Sequence, residues 1–213
     1  MGRIYVVRHG MRLDHEEKSW GKTAARPFDP PLSANGLEQA RQTGIYLKQM
    51  DITAVYASPL LRTIQTATEI VKTLDLPIHV EDGLVEWLNP KWYDFSAGML
   101  DLEGLTADYP YLNLSYQPLV RPRYPENDET LCRDRCAFVA RQLSEENEGD
   151  ILLITHGACV MNTIQSLTGS REGANDKTCA VNVLRKKTLG GGWTLESSTI
   201  EHLSKSEKKV EYI

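Results

Sequence analysis

The tripeptide Arg8-His9-Gly10 contains residue types that phosphoryl transfer needs. It follows the apolar run at residues 4–7, which predicts a short buried strand, so His9 would emerge where that strand ends. Ligand crevices of α/β sheets open at the carboxyl ends of their strands. A histidine there can attack phosphorus as a nucleophile while the arginine holds the phosphoryl oxygens. The tripeptide becomes informative only if the rest of the chain supplies the other groups.

Two further predicted strands also end in polar residues. Ser58 follows the apolar residues 54–57, and His156 follows the predicted buried strand at residues 151–155. Gly157 then opens a helix, whose unpaired N–H groups favour an anion. If the strands are neighbours in one sheet, His156 comes to lie beside the first histidine.

Three arginines are placed to neutralise a phosphate. Arg12 lies four residues after Arg8, and Arg62 lies on the helix that follows Ser58. Guanidinium groups bind phosphoryl oxygens through paired N–H donors. They supply the positive charge that Mg²⁺ would otherwise bring, so we expect no metal and no cofactor.

Glu86 is the candidate proton donor for the leaving group. It lies just beyond a third short strand at residues 78–80, between Leu84 and Trp87. Apolar neighbours can desolvate the carboxyl and raise its pKa, which suits a general acid. Taken singly, a loop glutamate or a helix arginine is more often structural. The joint appearance of these groups at successive strand ends favours catalysis.

Apolar runs alternate with amphipathic helical patterns, which is typical of a layered α/β domain with a mostly parallel sheet. Ser33 is the predicted N-cap of one helix, and Pro59 suits the first turn of the next. A late hairpin is expected from residues 181–184 and 193–197. Four residues are expected on one face of the first of these helices: Leu37, Ala40, Gly44 and Leu47.

Length and composition predict one domain over residues 1–213, with 41% hydrophobic residues. An irregular insertion is expected at about residues 88–129, and a charged tail from about residue 201. The net charge of −5 argues against a nucleic-acid partner. No apolar run reaches the roughly 20 residues of a membrane span. We therefore expect a cytoplasmic protein without membrane contact, and a homodimer is left open.

Two of the four cysteines, Cys132 and Cys136, fall one helical turn apart, in a stripe with Val139 and Leu143. The pattern favours a buried helix face over a metal site, because no second Cys/His pair has zinc spacing. Reduced, structural thiols are the expectation for a cytosolic chain.

Several short motifs, in this order along the chain, resemble those of the histidine phosphatase (phosphoglycerate mutase-like) superfamily. They are Arg8-His9-Gly10, Pro31-Leu32-Ser33 with Gly36 and Gln39-Ala40, Ser58-Pro59-Leu60 with Arg62 and Gln65-Thr66-Ala67, and Thr155-His156-Gly157. The resemblance implies a three-layer α/β/α sandwich and a phosphohistidine intermediate on His9. It also implies a phosphate pocket of Arg8, Arg62 and His156, with Glu86 as proton donor.

Within the superfamily, residues 9–12 with Asp14, and residues 81–87, look most like two groups of phosphatase. These are the phosphatase domains of the ubiquitin-associated and SH3 domain-containing suppressor-of-signalling proteins, and the insect ecdysteroid-phosphate phosphatases. This resemblance implies that Arg12 joins the phosphate pocket. We expect the chain to depart from them in lacking their N-terminal modules, and Met11 stands where an acidic residue is common.

We therefore expect a phosphomonoesterase acting on a small molecule or a phosphoprotein, such as phosphotyrosine or another aryl or bulky phosphate. Two alternatives stay open: a phosphoglycerate mutase-type phosphoryl transfer, and a catalytically silent module that binds a phosphorylated partner. The segment that resembles glycolytic mutases, with Glu-Leu-Asn, is absent. The aromatic residues of the insertion either line an apolar entrance or pack the insertion onto the sandwich. They are Trp92, Tyr93, Tyr109, Tyr111 and Tyr116.

Overall fold

The structure is a computed structural model that describes residues 2–92, 94–95, 100–188 and 191–204. This part of the chain contains six strands and five α-helices. In chain order they are β1 (Arg3–Arg8), α1 (Leu13–Glu16), α2 (Ala34–Leu47), β2 (Ile52–Ala57), α3 (Leu61–Leu74), β3 (Ile78–Val80), α4 (Glu129–Glu146), β4 (Asp150–Thr155), α5 (Gly157–Thr168), β5 (Val181–Lys186) and β6 (Trp193–Thr199).

The strands form one sheet in the order β3-β2-β4-β1-β5-β6. The pairings β3–β2, β2–β4 and β4–β1 are parallel, whereas β5 pairs antiparallel with both β1 and β6. Parallel neighbours need crossover connections, which the helices supply. The mostly parallel sheet and the late hairpin are confirmed, and Gly190 of the hairpin loop lies outside the described residues.

Alternate side chains of each strand point into two separate cores. In β1, Tyr5 and Val7 pack with α2 and α3, whereas Ile4 and Val6 pack with α4 and α5. A parallel strand buried on both faces reads as a continuous apolar run, which is the pattern at residues 4–7. The helices cover both faces of the sheet, so the three-layer α/β/α sandwich is confirmed.

The prediction that Pro59 lies in the first helical turn is wrong. Helix α3 begins at Leu61, and Leu60 before it is extended, with φ −86° and ψ 145°. The first N–H of the helix, that of Leu61, donates to Asp29 Oδ1 at 2.8 Å. A carboxylate from a distant loop therefore caps α3, and no local pattern could reveal it.

The predicted buried face of α2 is also partly wrong, because Leu37 is 38% exposed. Small residues turn inward instead, since α2 packs closely against α3 and against the loop after β1. The buried residues of α2 are Gly36, Gln39, Ala40, Thr43, Gly44 and Leu47. The predicted N-cap is confirmed, because Ser33 Oγ accepts a hydrogen bond from Gly36 N–H at 3.1 Å.

The chain between β3 and α4 lies against the sandwich at several points. Tyr109 and Tyr111 pack against the core beneath α2 and α3, and Tyr116 stacks edge-on against Tyr56. These tyrosines attach the segment, whereas Trp92 stays 50% exposed. Tyr93 lies outside the described residues. The single-domain assignment stays a prediction.

None of the described helices combines the length and apolarity that a membrane crossing requires.

Gly36→Ala is expected to destabilise the fold. A Cβ at Gly36 would lie 2.1 Å from the carbonyl oxygen of Met11, so either α2 or the loop after β1 must move. Overpacking of this kind costs about 1–3 kcal/mol, measurable as a lower urea midpoint. Gly21→Ala is the matched control, because nothing lies within 4 Å of its Cβ position. Equal midpoints for the two variants would show that the close approach is not a constraint.

Candidate active site

The parallel register of the sheet brings the two histidines together. Arg8 of β1 pairs with Thr155 of β4, so His9 and His156 leave neighbouring strands at the same edge. Their ring centroids lie 5.2 Å apart, with the planes at 62°. Both side chains are buried. The expectation that sheet neighbours would join these distant residues is met by the geometry.

His9 is held in one tautomer. Its Nδ1 lies 2.7 Å from the carbonyl oxygen of Gly10. A carbonyl only accepts hydrogen bonds, so Nδ1 carries the proton and Nε2 keeps its lone pair. Burial and the neighbouring Arg62 and Arg8 guanidiniums hold the pKa of His9 well below its usual value. The imidazole is therefore neutral, as an attacking nitrogen must be.

His156 is oriented by the end of β2. Its Nε2 and the hydroxyl of Ser58 share a hydrogen bond of 2.7 Å. Burial, Arg62 and His9 lower the pKa of His156 well below its usual value. The buried Nδ1 has no hydrogen-bond partner among the residues described, and Glu86 Oε2 is 3.8 Å away. Buried polar atoms almost always have partners, so this nitrogen points to a ligand.

The three predicted arginines lie around the histidines. The positive charges of Arg8, Arg12 and Arg62 each lower the pKa of both imidazoles. Arg62 is completely buried, and its Nη1 donates to the carbonyl oxygen of Phe28 at 3.4 Å. Arg12 is held by a two-pronged hydrogen bond to Asp14, the shorter prong joining Nη2 to Oδ2 and the other joining Nε to Oδ1 at 2.9 Å.

Arg8 lies against the start of α5. Its Nη1 donates to the carbonyl oxygen of Asp176 at 2.8 Å. A Cβ on Gly157 would lie 3.2 Å from the guanidinium carbon of Arg8. Glycine at this position therefore lets the arginine approach the N-terminus of α5, where free N–H groups also favour an anion.

Glu86 completes the cluster from the third strand end. It is almost fully buried, and burial raises its pKa against the opposing effects of Arg62 and the Trp87 N–H. Its Oε1 accepts that N–H at 3.0 Å, and its Oε2 faces His156. The structure therefore brings all six predicted site residues to one place.

Two buried residues absent from the sequence-based prediction, Arg135 and Glu126, hold the backbone around Glu86. The Arg135 guanidinium forms two hydrogen bonds of 2.7 Å to the Glu126 carboxylate. It also donates to the carbonyl oxygens of Gly83 and Val85, both at 2.8 Å. Removing one partner of such a buried pair costs about 3–5 kcal/mol, so this clamp is rigid.

The sequence does contain a signal for this clamp. Arg135 lies in the apolar stripe of α4, between Cys132 and Val139, where a helix normally buries only apolar side chains. An arginine on a core-facing position implies a buried acidic or carbonyl partner. The partner itself, Glu126, is irregularly placed and could not be identified from spacing.

Buried polar side chains fix the loop after His9. Thr66 Oγ1 accepts the Gly10 N–H at 3.0 Å, and Gln39 Oε1 accepts the Met11 N–H at 2.9 Å. Gln65 Oε1 accepts the Leu32 N–H at 2.7 Å in the adjoining segment. The glutamines and threonine of the sequence motifs thus hold the backbone of these loops in place.

Both site histidines are expected to stay neutral in the folded protein well below the ordinary histidine pKa of 6.5. Below pH 6.5 these two imidazoles then bind more protons in the unfolded chain than in the folded chain, so their contribution to the free energy of unfolding falls as the pH falls. Imidazole NMR titrations and urea unfolding at pH 7.5 and 5.5, in phosphate-free buffer, measure both effects. Urea-unfolded protein is the control. A site histidine titrating near pH 6.5 in the folded state would contradict the burial argument.

Comparisons with known proteins agree with this geometry. The family model for the histidine phosphatase superfamily (branch 1) matches residues 4–200, which include the six site residues. The ubiquitin-associated and SH3 domain-containing protein A of Mus musculus is 32% identical over 207 residues, and the ecdysteroid-phosphate phosphatase of Drosophila melanogaster is 30% identical over 205 residues. Each alignment covers 78% of this chain but only 33% and 27% of the relative, so the chain spans about a third of their length.

The fold is shared with a solved relative. The crystal structure of the ecdysone phosphate phosphatase from Bombix mori, in complex with tungstate, superposes with a TM-score of 0.72 and 23% identity. The superposition covers 92% of each chain. The family match over residues 4–200 and this shared fold lead to one assignment. The chain belongs to the histidine phosphatase superfamily.

Proposed function

We propose that this chain is a phosphomonoesterase that works through a phosphohistidine on His9. The observation that carries the proposal is the neutral imidazole whose Nε2 lone pair is left available by the hydrogen bond from Nδ1 to Gly10. Arg8 and Arg62 act on this imidazole from close by. A neutral nucleophile among fixed cations suits a phosphate dianion. The name of the Drosophila relative, ecdysteroid-phosphate phosphatase, supports this class of reaction.

In the first step, His9 Nε2 attacks phosphorus and forms the N–P bond while the ester P–O bond breaks. The departing oxygen takes the proton of the Glu86 carboxyl, which burial keeps available by raising its pKa. Arg8, Arg12 and Arg62 neutralise the oxygens of the transferring group, because charge stabilised in place lowers the barrier.

His156 is assigned to the same phosphoryl group. Its buried Nδ1, which has no hydrogen-bond partner among the described residues, can donate to a phosphoryl oxygen. In this form Nδ1 carries the proton and Nε2 accepts the Ser58 hydroxyl hydrogen. The imidazole thereby serves as a neutral donor beside three cations.

In the second step, water attacks the phosphohistidine and inorganic phosphate leaves. The Glu86 carboxylate formed in the first step accepts a proton from that water, which restores the acid for the next turnover. Transfer of the phosphoryl group to a sugar acid instead of water would be mutase chemistry. The presence of every expected catalytic group argues against a catalytically silent binding module.

We further propose an aryl or bulky phosphate ester as substrate, either a small molecule or a phosphoprotein such as a phosphotyrosine peptide. The backbone N–H of Trp87 donates to Glu86, and the Trp87 ring meets that of Trp92 edge-on, with 4.9 Å between ring centroids. Phe28, whose carbonyl binds Arg62, meets Phe95 at 5.2 Å. The two phenylalanines are buried in a core cluster, whereas Trp92 is half exposed. Aromatic surface is therefore available beside the acid, which supports a ring-bearing leaving group.

A cytoplasmic location is also proposed, and the four buried free cysteines support it because reduced thiols persist in that compartment. The net charge of −5 supports a substrate other than nucleic acid. A homodimer stays a prediction of the sequence, and analytical ultracentrifugation tests it.

His9→Ala is expected to abolish the phosphoenzyme. Brief mixing of enzyme with ³²P-labelled aryl phosphate, followed by acid and alkaline quenching, detects the acid-labile, alkali-stable phosphohistidine. Turnover should fall at least about 10³-fold because the nucleophile is gone. His79→Gln, on a half-buried histidine of β3, is the matched control and should label normally. Equal labelling of His9→Ala and wild type would overturn the mechanism.

Glu86→Gln is expected to slow poor leaving groups more than good ones. An aliphatic alcohol must be protonated as it departs, so the rate of phosphoenzyme formation, measured before the water step that also uses Glu86, should fall by about 10²–10⁴ for alkyl phosphates. The same rate should fall much less for a nitrophenyl phosphate, because its leaving group is stable as an anion. Glu103→Gln, on an exposed residue of the insertion, is the control. The same loss for every leaving group would exclude Glu86 as the acid.

A further inference from the structure

Three of the four cysteines meet in one buried cluster beneath the Glu86 loop. Cys132 and Cys136 lie one turn apart on α4, and Cys159 comes from the first turn of α5. Cys132 Sγ lies 4.0 Å from Cys136 Sγ and 3.8 Å from Cys159 Sγ. All three side chains are completely buried. The α5 thiol is the member that sequence spacing could not reveal.

The sulfur triangle has the size of a metal–thiolate site. All three sulfur atoms lie within 4.8 Å of one another. A point equidistant from them would lie about 2.2–2.5 Å from each sulfur, which brackets a metal–thiolate bond of about 2.3 Å. An ion could therefore bind near the plane of the three sulfurs without moving the helices.

Polar groups lie against the three sulfurs. Asn162 Nδ2 donates to Cys132 Sγ at 3.7 Å, and the Asn162 carboxamide oxygen is itself held by Arg171. The buried guanidinium of Arg135 interacts electrostatically with all three thiols. A buried donor and a buried cation are what a group of thiolates needs when water is excluded.

The donor set selects the ion. Among the residues described, the ligand group consists of these three cysteines alone. Structural zinc sites almost always use four ligands, whereas soft thiolates also select monovalent copper, which accepts three. Three sulfurs with the ion near their plane therefore fit Cu(I) better than Zn²⁺.

We propose that Cys132, Cys136 and Cys159 form a three-coordinate thiolate site for Cu(I), separate from the phosphate pocket. The proposal departs from the sequence-based expectation of purely structural thiols. Binding forms three Cu–S bonds and releases the three thiol protons to solvent, with no change in oxidation state. One of these protons is now donated by Cys159 Sγ to the Val85 carbonyl oxygen at 3.1 Å.

The test is an anaerobic titration of the reduced full chain with Cu(I) in competition with bicinchoninate. One equivalent is expected to bind, with a thiolate-to-copper absorption band in the near ultraviolet. X-ray absorption of the loaded wild-type protein should show three sulfur neighbours and no nitrogen or oxygen neighbour. A first shell containing nitrogen or oxygen would overturn the three-coordinate site even if copper binds.

Single substitutions separate the cluster from adventitious thiol binding. Cys132→Ala and Cys159→Ala should each lose at least hundredfold in Cu(I) affinity, with folding checked by circular dichroism. Cys179→Ala, on the fourth buried cysteine outside the cluster, should still bind one equivalent. Unchanged affinity in Cys132→Ala, or loss only in Cys179→Ala, would refute the proposal. Phosphatase activity does not enter these measurements, so the proposal stands or falls independently of the proposed function.

Discussion

The parallel pairing of β1 with β4 is the contact on which the site depends. It sets Arg8 opposite Thr155, and the next residue of each strand is a histidine. A register shift of one residue would turn every side chain of a strand to the other face of the sheet, so the pairing leaves no freedom here. Both strands are buried on both faces, and the two cores therefore enforce the register that the chemistry needs.

Burial and positive charge act together on the groups at this edge. Burial, together with the arginines that would hold a phosphate, keeps both imidazoles neutral, because a further positive charge at this place is unfavourable. Burial raises the pKa of Glu86, whereas it lowers the pKa of the histidines, and it therefore favours the protonated acid. One environment therefore favours a neutral imidazole at His9 and a protonated carboxyl at Glu86, whereas in water a carboxyl loses its proton at a lower pH than an imidazolium.

The supporting contacts come from segments far apart in the chain. Asp29 caps α3 and lies 3.7 Å from Arg62, which connects the loop before α2 to the helix that carries Arg62. Arg135 and Glu126 tie α4 and the insertion to the Glu86 backbone. Each of these contacts involves a buried, hydrogen-bonded charge. Removing one member of the pair leaves the charge of the other uncompensated, and the site therefore resists deformation.

Most of the elements, and the six residues of the candidate site, could be proposed from the sequence, since apolar runs, an N-cap such as Ser33 and polar residues at strand ends are local signals. The exposure of Leu37, the capping of α3 by Asp29 and the choice of Glu126 as the partner of Arg135 could not be predicted in this way. The sequence by itself determined which residues follow the carboxyl ends of the strands. Only the tertiary structure decided which distant side chains meet these residues, and it also decided the contact of Cys159 with Cys132. Such contacts depend on how helices pack across the sheet and not on spacing along the chain.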